Sequence, residues 1–493
     1  MRIKDKLKII IKDSIQTSLN VSIEDFTITK DINNYTYETN VAITLVKTLH
    51  KKPEEIANII KNNIKTDMIE NIEILYPGIM KLTIDKHFLL QELKEIIEEN
   101  INYGKNNICN NKKINLSIKL SSIINLSNED FYSIIYIDNF ARLLKNSNSI
   151  VTKELYIIDT QNEIDSIALS VQEEYKTLCI NNYTNSNTLS YEIASYIYKL
   201  YNTRKQYENI EYFKKESTSI IIDKLKKHLD AYRINFNNYI CIDNINNNEI
   251  IDGVLNKLNK TGYTYFDEDK LYLKTTILKD TKDKVLVNND GTYSNFLILL
   301  TYYIDKFNKY YDGVIDICYN NEYASIIRPV LKLLEYDISK LEIRSIDILN
   351  NIDNNKEDIN EIRYNITLSN TSLNNYNFIE NTYKKIYEIL STYPNKISKV
   401  EKYNNINNDL AYDILNKLCD FREVVKTSTL KYKPYNIANY IYELSSLTNE
   451  YLLNYDIITE DNSYTLENLN LLLAINIVIN SSLDLIGIIP RVS

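Results

Sequence analysis

Between residues 112 and 360, short apolar runs alternate with longer amphipathic segments, and this order constrains the fold more than any other feature of the sequence. INLSIKL (114–120) and GVIDICY (313–319) have the length and composition of strands, whereas FYSIIYIDNFARLL (131–144) has apolar residues at helical spacing. Further strand-like runs are ELYIID (154–159) and KVLV (284–287). Because alternating strands and helices form parallel sheets with right-handed crossovers, this region is predicted to be a Rossmann-like domain.

The two flanking regions have different patterns. In the first hundred residues, PEEIANIIKNNI (53–64) is predicted to be a helix behind its proline, and Pro77-Gly78 form a turn before an apolar run. The last third has long helical periodicity, which is typical of a bundle. We therefore predict an α/β plus all-α chain of three domains: an N-terminal α+β domain (1–107), a Rossmann-like parallel-sheet domain (108–365) and a C-terminal helical bundle (366–493).

Composition excludes several classes of protein. The net charge of -9 argues against a generally basic nucleic-acid-binding protein, although it permits a local basic face. The seven glycines are too far apart for a GxGxxG or P-loop cradle, and the five cysteines include no CxxC pair, so neither a metal site nor a disulfide framework is expected. The start of the chain interrupts its isoleucines with charges, unlike a signal peptide, and we expect a cytoplasmic protein without a membrane span.

Six strings, in chain order, resemble segments of class I arginyl-tRNA synthetases. KELYIIDTQNEI is similar to the family's REYYINDAGNQI, and KVLVNNDGTYSNF is similar to its VLVRSDGTYTYF. The strings lie at 37–60 and 76–84 (the family's tRNA-elbow domain), 153–164 and 284–296 (its synthetase domain), and 421–447 and 481–490 (its anticodon-binding bundle). The resemblance covers nearly the whole chain. It implies an ATP-dependent ligase that esterifies tRNA with arginine.

The HIGH box of class I enzymes is absent. Its position falls on Ser127, Asn128, Glu129 and Asp130, and the three histidines of the chain lie elsewhere. Ser127 followed three residues later by Asp130 is instead a capping box, in which the hydroxyl accepts a helix N–H and the carboxylate reaches back. Glu129 and Asp130 also place negative charge where a helix dipole would favour phosphate. We interpret this stretch as a helix cap and assign no catalytic residue.

The second signature and the arginine pocket are also missing. The last methionine is Met80, so no KMSK can follow, and the expected region at 344–358 has Lys356 among acids. Where the family has a Glu, an Asn, a Tyr and an Asp around the guanidinium, this chain has four replacements. They are Ser117, Ser122, Asn295 and Leu299. A guanidinium needs fixed carboxylates, so free arginine is not expected to bind.

Some positions still match the family. They are Asp159, Asn162, Asp290, Gly291 and Tyr293, although turns and caps explain each of them equally well. On the bundle, the candidate tRNA-binding residues are Tyr383, Lys384, Lys385, Lys431 and Lys433, with Arg422 as a further cation. A tyrosine at helical spacing is by default a core or surface residue, and LKYKPY (430–435) could equally be a solvated turn.

Three hypotheses remain. The first is a catalytically inactive paralogue that binds tRNA, perhaps arginine tRNA, in a regulatory role, without cofactor, DNA or membrane. The second is a protein–protein adaptor whose old cleft is filled by Ile123, Ile124 and the run Ile298–Leu300. The third is an active arginine–tRNA ligase with an atypical site, which would use ATP and Mg. The lysines on the bundle favour the first.

Overall fold

The computed structural model describes residues 3–30, 36–120, 122–157, 163–181, 188–241, 248–318, 323–345, 358–368, 376–393, 397–400 and 402–491. The chain forms two compact units. The chain-end unit comprises Met1–Asn106 and Thr371–Ser493, and the middle unit comprises Asn107–Asn370. The division into three domains is finer than this and stays a prediction.

The N-terminal part of the chain-end unit packs helices against an antiparallel sheet. Its elements are α1 (Ile3–Leu19), β1 (Ile28–Lys30), β2 (Thr36–Thr39), α2 (Val41–Thr44), α3 (Val46–Leu49), α4 (Pro53–Asn63), β3 (Ile69–Leu75), β4 (Ile79–Ile84) and α5 (Lys86–Glu99). The strand order is β1-β2-β4-β3. Alternate residues of β4 are buried, as expected for a strand with one face on the core. The predicted turn at Pro77-Gly78 and the predicted helix at Pro53 are both confirmed.

The middle unit is built on a parallel sheet. Its strands are β5 (Lys113–Leu120), β6 (Ile150–Ile157), β7 (Asn238–Cys241), β8 (Thr264–Asp267), β9 (Lys270–Leu273), β10 (Lys284–Val287), β11 (Gly313–Cys318) and β12 (Leu341–Ser345). Its helices are α6 (Asn128–Asn146), α7 (Glu163–Asn181), α8 (Leu189–Tyr201), α9 (Ile210–Ala231), α10 (Asn248–Lys260), α11 (Asn295–Asn308), α12 (Ala324–Leu333) and α13 (Ile359–Leu368). The sheet order β12-β11-β5-β6-β7 is parallel throughout, which confirms the predicted Rossmann-like architecture.

The topology defines where a ligand would be expected. The strand order reverses direction between β5 and β11, and doubly wound sheets bind ligands beyond the carboxyl ends of their strands at such a switch point. Helix α6 packs on one face of β5 and β6. Helix α11 covers the other face, where its leucines and tyrosines join a core with α10 and α12. A ligand-binding site is therefore expected at the start of α6 and in the residues after β5.

KVLV was correctly predicted to be a strand, but the prediction that it belongs to the parallel sheet was wrong. KVLV forms β10, but β10 pairs antiparallel with β9, in a separate sheet of order β10-β9-β8. The cause is a tight hairpin between β8 and β9, in which Glu268 and Asp269 both have positive φ, 44° and 61°. Two left-handed residues match the twist of a hairpin, and the absence of the usual glycine concealed this turn in the sequence.

The C-terminal part of the chain-end unit is the predicted helical bundle. It contains α14 (Tyr376–Thr392), α15 (Asp409–Lys431), α16 (Tyr435–Asn454) and α17 (Asn462–Leu485). In the part of the chain that the structure describes, α17 alone is long and apolar enough to cross a membrane, and 72% of that stretch is buried inside the protein. Such a helix is typical of the core of a bundle.

Candidate functional site

The start of α6 is a closed helix cap. The Asp130 N–H donates to Ser127 Oγ at 3.0 Å, and the Ser127 N–H donates to Asp130 Oδ2 at 3.1 Å. Ser127 Oγ also donates to Asp130 Oδ2 at 3.0 Å. The capping box predicted from the sequence is therefore confirmed. The side chains thus occupy the N–H groups of Ser127 and Asp130, which lie where a helix start can bind a phosphate.

The first turn of α6 also carries negative charge, which disfavours an anionic ligand. Asn128 begins the helix, and Glu129 and Asp130 lie in its first turn, where they already complement the positive end of the dipole. Among the described residues no group of three His, Cys, Asp or Glu side chains is arranged to hold a metal ion. The two acidic side chains in this first turn would repel an incoming anion. The second signature at 344–358, including Lys356, lies outside the described residues except for its two ends.

Ser117, one of the four replaced arginine-pocket positions, belongs to a buried cluster that was not foreseen. Its hydroxyl donates to Asp316 Oδ1 at 2.6 Å, and Asp316 lies opposite it on β11. The hydroxyls of Tyr156 and Tyr303 donate to Asp316 Oδ2, the first at 2.8 Å. Burial raises the pKa of Asp316 above its ordinary value, although Lys306 and these hydroxyls oppose the shift. An incoming guanidinium would have to displace three hydrogen bonds to reach this carboxyl group.

A second buried carboxylate lies next to the first. Glu154 Oε2 is 3.2 Å from Lys306 Nζ and accepts from Asn115 and from Tyr302, each at 3.1 Å. Lys306 also donates to Asn115 Oδ1 at 2.8 Å. Burial raises the pKa of Glu154, but the Lys306 ammonium and the hydrogen bonds outweigh it, so the net pKa is lowered. The sequence contained one indication of this buried cluster. Glu154, Asp316 and Lys306 are charged residues within the apolar segments that form β6, β11 and α11.

The remaining replaced positions do not converge on one cavity. Ser122 Oγ donates to Glu163 Oε2 at 2.8 Å, and Asn295 is the first residue of α11 behind its cap, Ser294. Leu299 is buried in the core of the middle unit together with Ile298 and Leu300. We expected Ile298–Leu300 to fill one cleft together with Ile123 and Ile124, and this is corrected. Ile123 and Ile124 instead line a separate cavity of about 320 Å³.

The positions retained from the family resemblance have structural roles. Asp290 Oδ1 accepts from the N–H of Thr292 at 2.9 Å, and Gly291 has φ +83°, so these two residues form the predicted turn. The Tyr293 hydroxyl donates to Asp252 Oδ1 at 3.0 Å. Asp159 and Asn162 lie outside the described residues.

The bundle separates the candidate tRNA-binding residues into two groups. Tyr383 is 5% exposed, so its ring packs inside the bundle and is not offered to a base, whereas Tyr387, one turn further, is 41% exposed. Lys384 is half-buried and Lys385 donates to Asn449 Oδ1 at 3.0 Å. Lys431 and Lys433 are exposed on either side of Tyr432, which ends α15 in a left-handed conformation. These two lysines place positive charge at the carboxyl end of α15.

Arg422 is not available to RNA, which corrects its inclusion among the bundle cations. Its guanidinium lies 2.6 Å from Glu99, 3.2 Å from Glu95 and 3.6 Å from Glu92 on α5, and it stacks over the Tyr103 ring at 4.5 Å. The residue joins α5 to α15 within the chain-end unit. Sequence reasoning missed this role because the three acids are more than 300 residues away along the chain.

Comparison with known proteins agrees with this architecture. Residues 2–84 match the family model described as the arginyl tRNA synthetase N terminal domain, and residues 379–491 match the DALR anticodon binding domain. The arginine–tRNA ligase of Staphylococcus aureus strain USA300 is 24% identical over 548 residues, covering 99% of each chain.

Solved structures show the same fold. The arginyl-tRNA synthetase of Thermus thermophilus superimposes with a TM-score of 0.75 at 12% identity, covering 99% of this chain and 100% of that one. The Plasmodium falciparum arginyl-tRNA synthetase gives 0.76 at 15% identity, covering 99% of each chain. A methionyl-tRNA synthetase of Mycobacterium tuberculosis gives 0.52 at 9% identity, covering 76% of this chain and 92% of that one.

The parallel sheet followed by an anticodon-binding type of bundle defines an aminoacyl-tRNA synthetase scaffold. Within that class, the matches at both ends of the chain and the full-length relatives agree on one member. The chain is similar to arginyl-tRNA synthetases over nearly its whole length and contains two of their domains, at residues 2–84 and 379–491.

Proposed function

We propose that this chain binds tRNA in a regulatory role and does not activate arginine. The observation that carries the proposal is the capping box at the start of α6. The resemblance places the HIGH box on these four residues, and this capped, acidic helix start lacks the imidazoles that stabilise a triphosphate during attack and places negative charge where the phosphates would lie.

The arginine-pocket positions support the same proposal. Leu299 is buried in apolar surroundings, and the buried carboxyl group of Asp316 already accepts hydrogen bonds from three hydroxyls. A guanidinium has five donors and is strongly destabilised in a site without free acceptors. The relatives are named arginine–tRNA ligases, and an active ligase would require ATP and Mg, for which the start of α6 is unsuited.

Binding of tRNA is supported by the chain-end unit. The anticodon-binding family model covers nearly all of the bundle, and Lys431 and Lys433 are exposed at the end of α15. Phosphate contacts by exposed lysines dominate the affinity of most RNA-binding surfaces and make it salt-dependent. The alternative proposal, a protein–protein adaptor on the same scaffold, does not need these lysines.

One experiment separates the two proposals. The protein is captured from its native cell extract, washed at rising salt, and the bound RNA and proteins are sequenced. We expect enrichment of arginine tRNAs that decreases with salt, as counterion release requires. A preparation with no enriched RNA and a stoichiometric protein partner would refute tRNA binding and support the adaptor.

A further inference from the structure

The cavity of about 320 Å³ in the middle unit lies between the loop after β5 and the helices α8 and α9. Its volume is at the lower end of the range for small-molecule pockets. Most of its lining is aliphatic. The aliphatic residues are Ile123, Ile124, Leu126, Leu189, Ile221 and Leu225. An apolar cavity of this size excludes most highly hydrated ligands, because they would lose water without compensation.

The polar lining is basic. It consists of Asn125, Lys224 and His228, and among the residues that the structure describes no carboxylate lines the cavity. The His228 ring lies against two aromatic rings, at 6.3 Å from Phe131 and 5.3 Å from Tyr232 between centroids, so neighbouring residues support its position. The described lining therefore complements an anion and contains no carboxylate that would pair with a cation.

The ion pair that Lys224 forms with Glu192 is weak enough for a ligand to replace Glu192. Its Nζ lies 2.5 Å from Glu192 Oε2, but the two side chains are 39% and 66% exposed, and exposed ion pairs contribute little to stability. Glu192 does not line the cavity. A ligand carboxylate inside the cavity can replace Glu192 at the ammonium, where surrounding apolar surface strengthens the contact.

The loop that forms one wall is fixed before any ligand binds. Ser122 Oγ accepts the N–H of Ile124 at 3.1 Å and of Asn125 at 3.3 Å, and donates to Glu163 Oε2 at 2.8 Å. A preformed wall reduces the entropy lost on binding. The loop follows the carboxyl end of β5, which is where doubly wound sheets bind ligands.

We propose that this cavity binds a small branched aliphatic monocarboxylate. The aliphatic lining takes the branched chain, and Lys224 and His228 face the carboxylate. An amino acid with the same side chain fits worse, because its ammonium group meets no acid among the lining residues that the structure describes. The proposal goes beyond tRNA binding and does not depend on it, so either can fail while the other holds.

The test is calorimetric titration of the full-length protein with three matched probes. These are 4-methylpentanoate, its neutral amide 4-methylpentanamide, and leucine, which has a similar branched skeleton plus an ammonium group. We expect 4-methylpentanoate to bind at least roughly tenfold more tightly than either of the others, since a charge-assisted hydrogen bond is lost in one and an unpaired ammonium is added in the other. Absence of binding, or equal affinities for the three, would overturn the proposal.

Two variants of α9 locate the site. Lys224→Met is expected to weaken 4-methylpentanoate binding by roughly tenfold. The matched control is Lys226→Met, because Lys226 is an exposed lysine on the same helix that pairs with Asp223 and does not line this cavity. Equal weakening in both variants would show a diffuse charge effect and contradict the assigned site. Thermal unfolding of each variant confirms that the fold is retained.

Discussion

At the start of α6, two side chains satisfy backbone groups that a nucleotide would otherwise bind. Ser127 and Asp130 each accept an N–H from the other, and Asp130 is 4% exposed. A helix start with this arrangement is stable without a ligand. The same pair of residues explains why the helix begins here and supports the proposal that no triphosphate binds at this position.

Removal of the cap should lower stability. Ser127→Ala is expected to reduce the free energy of unfolding by about 1 kcal/mol, because the N–H of Asp130 loses its acceptor. Ser127→Asn is the matched control, since asparagine is an equally good N-cap residue. Chemical denaturation measures both variants. Equal stability of the alanine and asparagine variants would contradict the role of the cap.

Restoring the HIGH sequence should not restore activity. The variant S127H/N128I/E129G/D130H is expected to remain at blank level in arginine-dependent ATP–pyrophosphate exchange, because Leu299 still stands where the family has a guanidinium-binding acid. A signal from this variant would show that the arginine pocket is intact.

At the scale of secondary structure, Asp138 on α6 joins three elements through buried charges. Its Oδ2 lies 2.6 Å from Arg363 Nη2 on α13, and its Oδ1 lies 2.5 Å from Lys153 Nζ on β6. Arg363 also donates to Asn139 Oδ1 at 2.9 Å and is fully buried. A buried pair in which every donor has a partner fixes the relative position of helices, although its net contribution to stability is small.

Removal of the buried partner of Asp138, Arg363, should lower the stability of the fold far more than removal of its partly exposed partner, Arg142. Arg363→Met is expected to reduce the free energy of unfolding by about 3 to 5 kcal/mol, because buried Asp138 loses its strongest partner. Arg142 contacts the same Oδ2 at 3.0 Å but is 29% exposed, so Arg142→Met is expected to change it by less than about 1 kcal/mol. Urea denaturation compares them, and similar losses would contradict this interpretation.

The same aspartate predicts a pH dependence. Burial raises the pKa of Asp138, but Arg363, Lys153 and Arg142 outweigh burial and hold the pKa well below its ordinary value. A depressed folded-state pKa contributes stability above the ordinary aspartate pKa, and this contribution is lost as pH falls toward the folded value. Denaturation of the wild type should therefore show a loss of stability below about pH 4 that is smaller in Asp138→Asn. An unchanged acid limb in that variant would contradict the assignment.

At the scale of the whole molecule, the chain has the fold of arginyl-tRNA synthetases, and the proposed loss of arginine activation concerns residues of the middle unit. The chain-end unit keeps both family-model matches. In the middle unit, the Asp316 carboxyl group is hydrogen-bonded to Ser117 inside the parallel sheet, and the start of α6 forms a capping box. This division favours a protein whose remaining function belongs to the chain-end unit.

The exposed lysines of the bundle provide a test of this division. The double variant Lys431→Ala and Lys433→Ala is expected to reduce the slope of log affinity for tRNA against log salt by roughly 1.4 to 1.8, if each lysine neutralises one phosphate. The control is Lys417→Ala, because Lys417 is already engaged by Glu443 and the Tyr440 ring. Filter binding over a salt series gives the slopes. An equal slope in the double variant and the wild type would exclude these lysines from the interface.

Local patterns in the sequence were sufficient for the parallel sheet, the bundle and the cap at Ser127, because each depends on residues close together in the chain. The contacts that were missed are long-range. Ser117 and Asp316 are 199 residues apart, and Arg422 meets acids on α5 more than 300 residues away. Only the register of the sheet and the packing of helices bring such groups together. The sequence also could not decide whether Tyr383 is buried. Helical spacing indicates which face of the helix a residue lies on, but not whether another helix packs against that face.

The central claim is that this chain does not activate arginine, and one measurement tests it most directly. Arginine-dependent ATP–pyrophosphate exchange is measured with purified full-length protein in the presence of total tRNA, beside an active arginine–tRNA ligase as positive control. We expect exchange at the level of the blank without enzyme. Exchange well above that level, dependent on both arginine and the protein, would contradict the proposal and establish an active ligase with an atypical site.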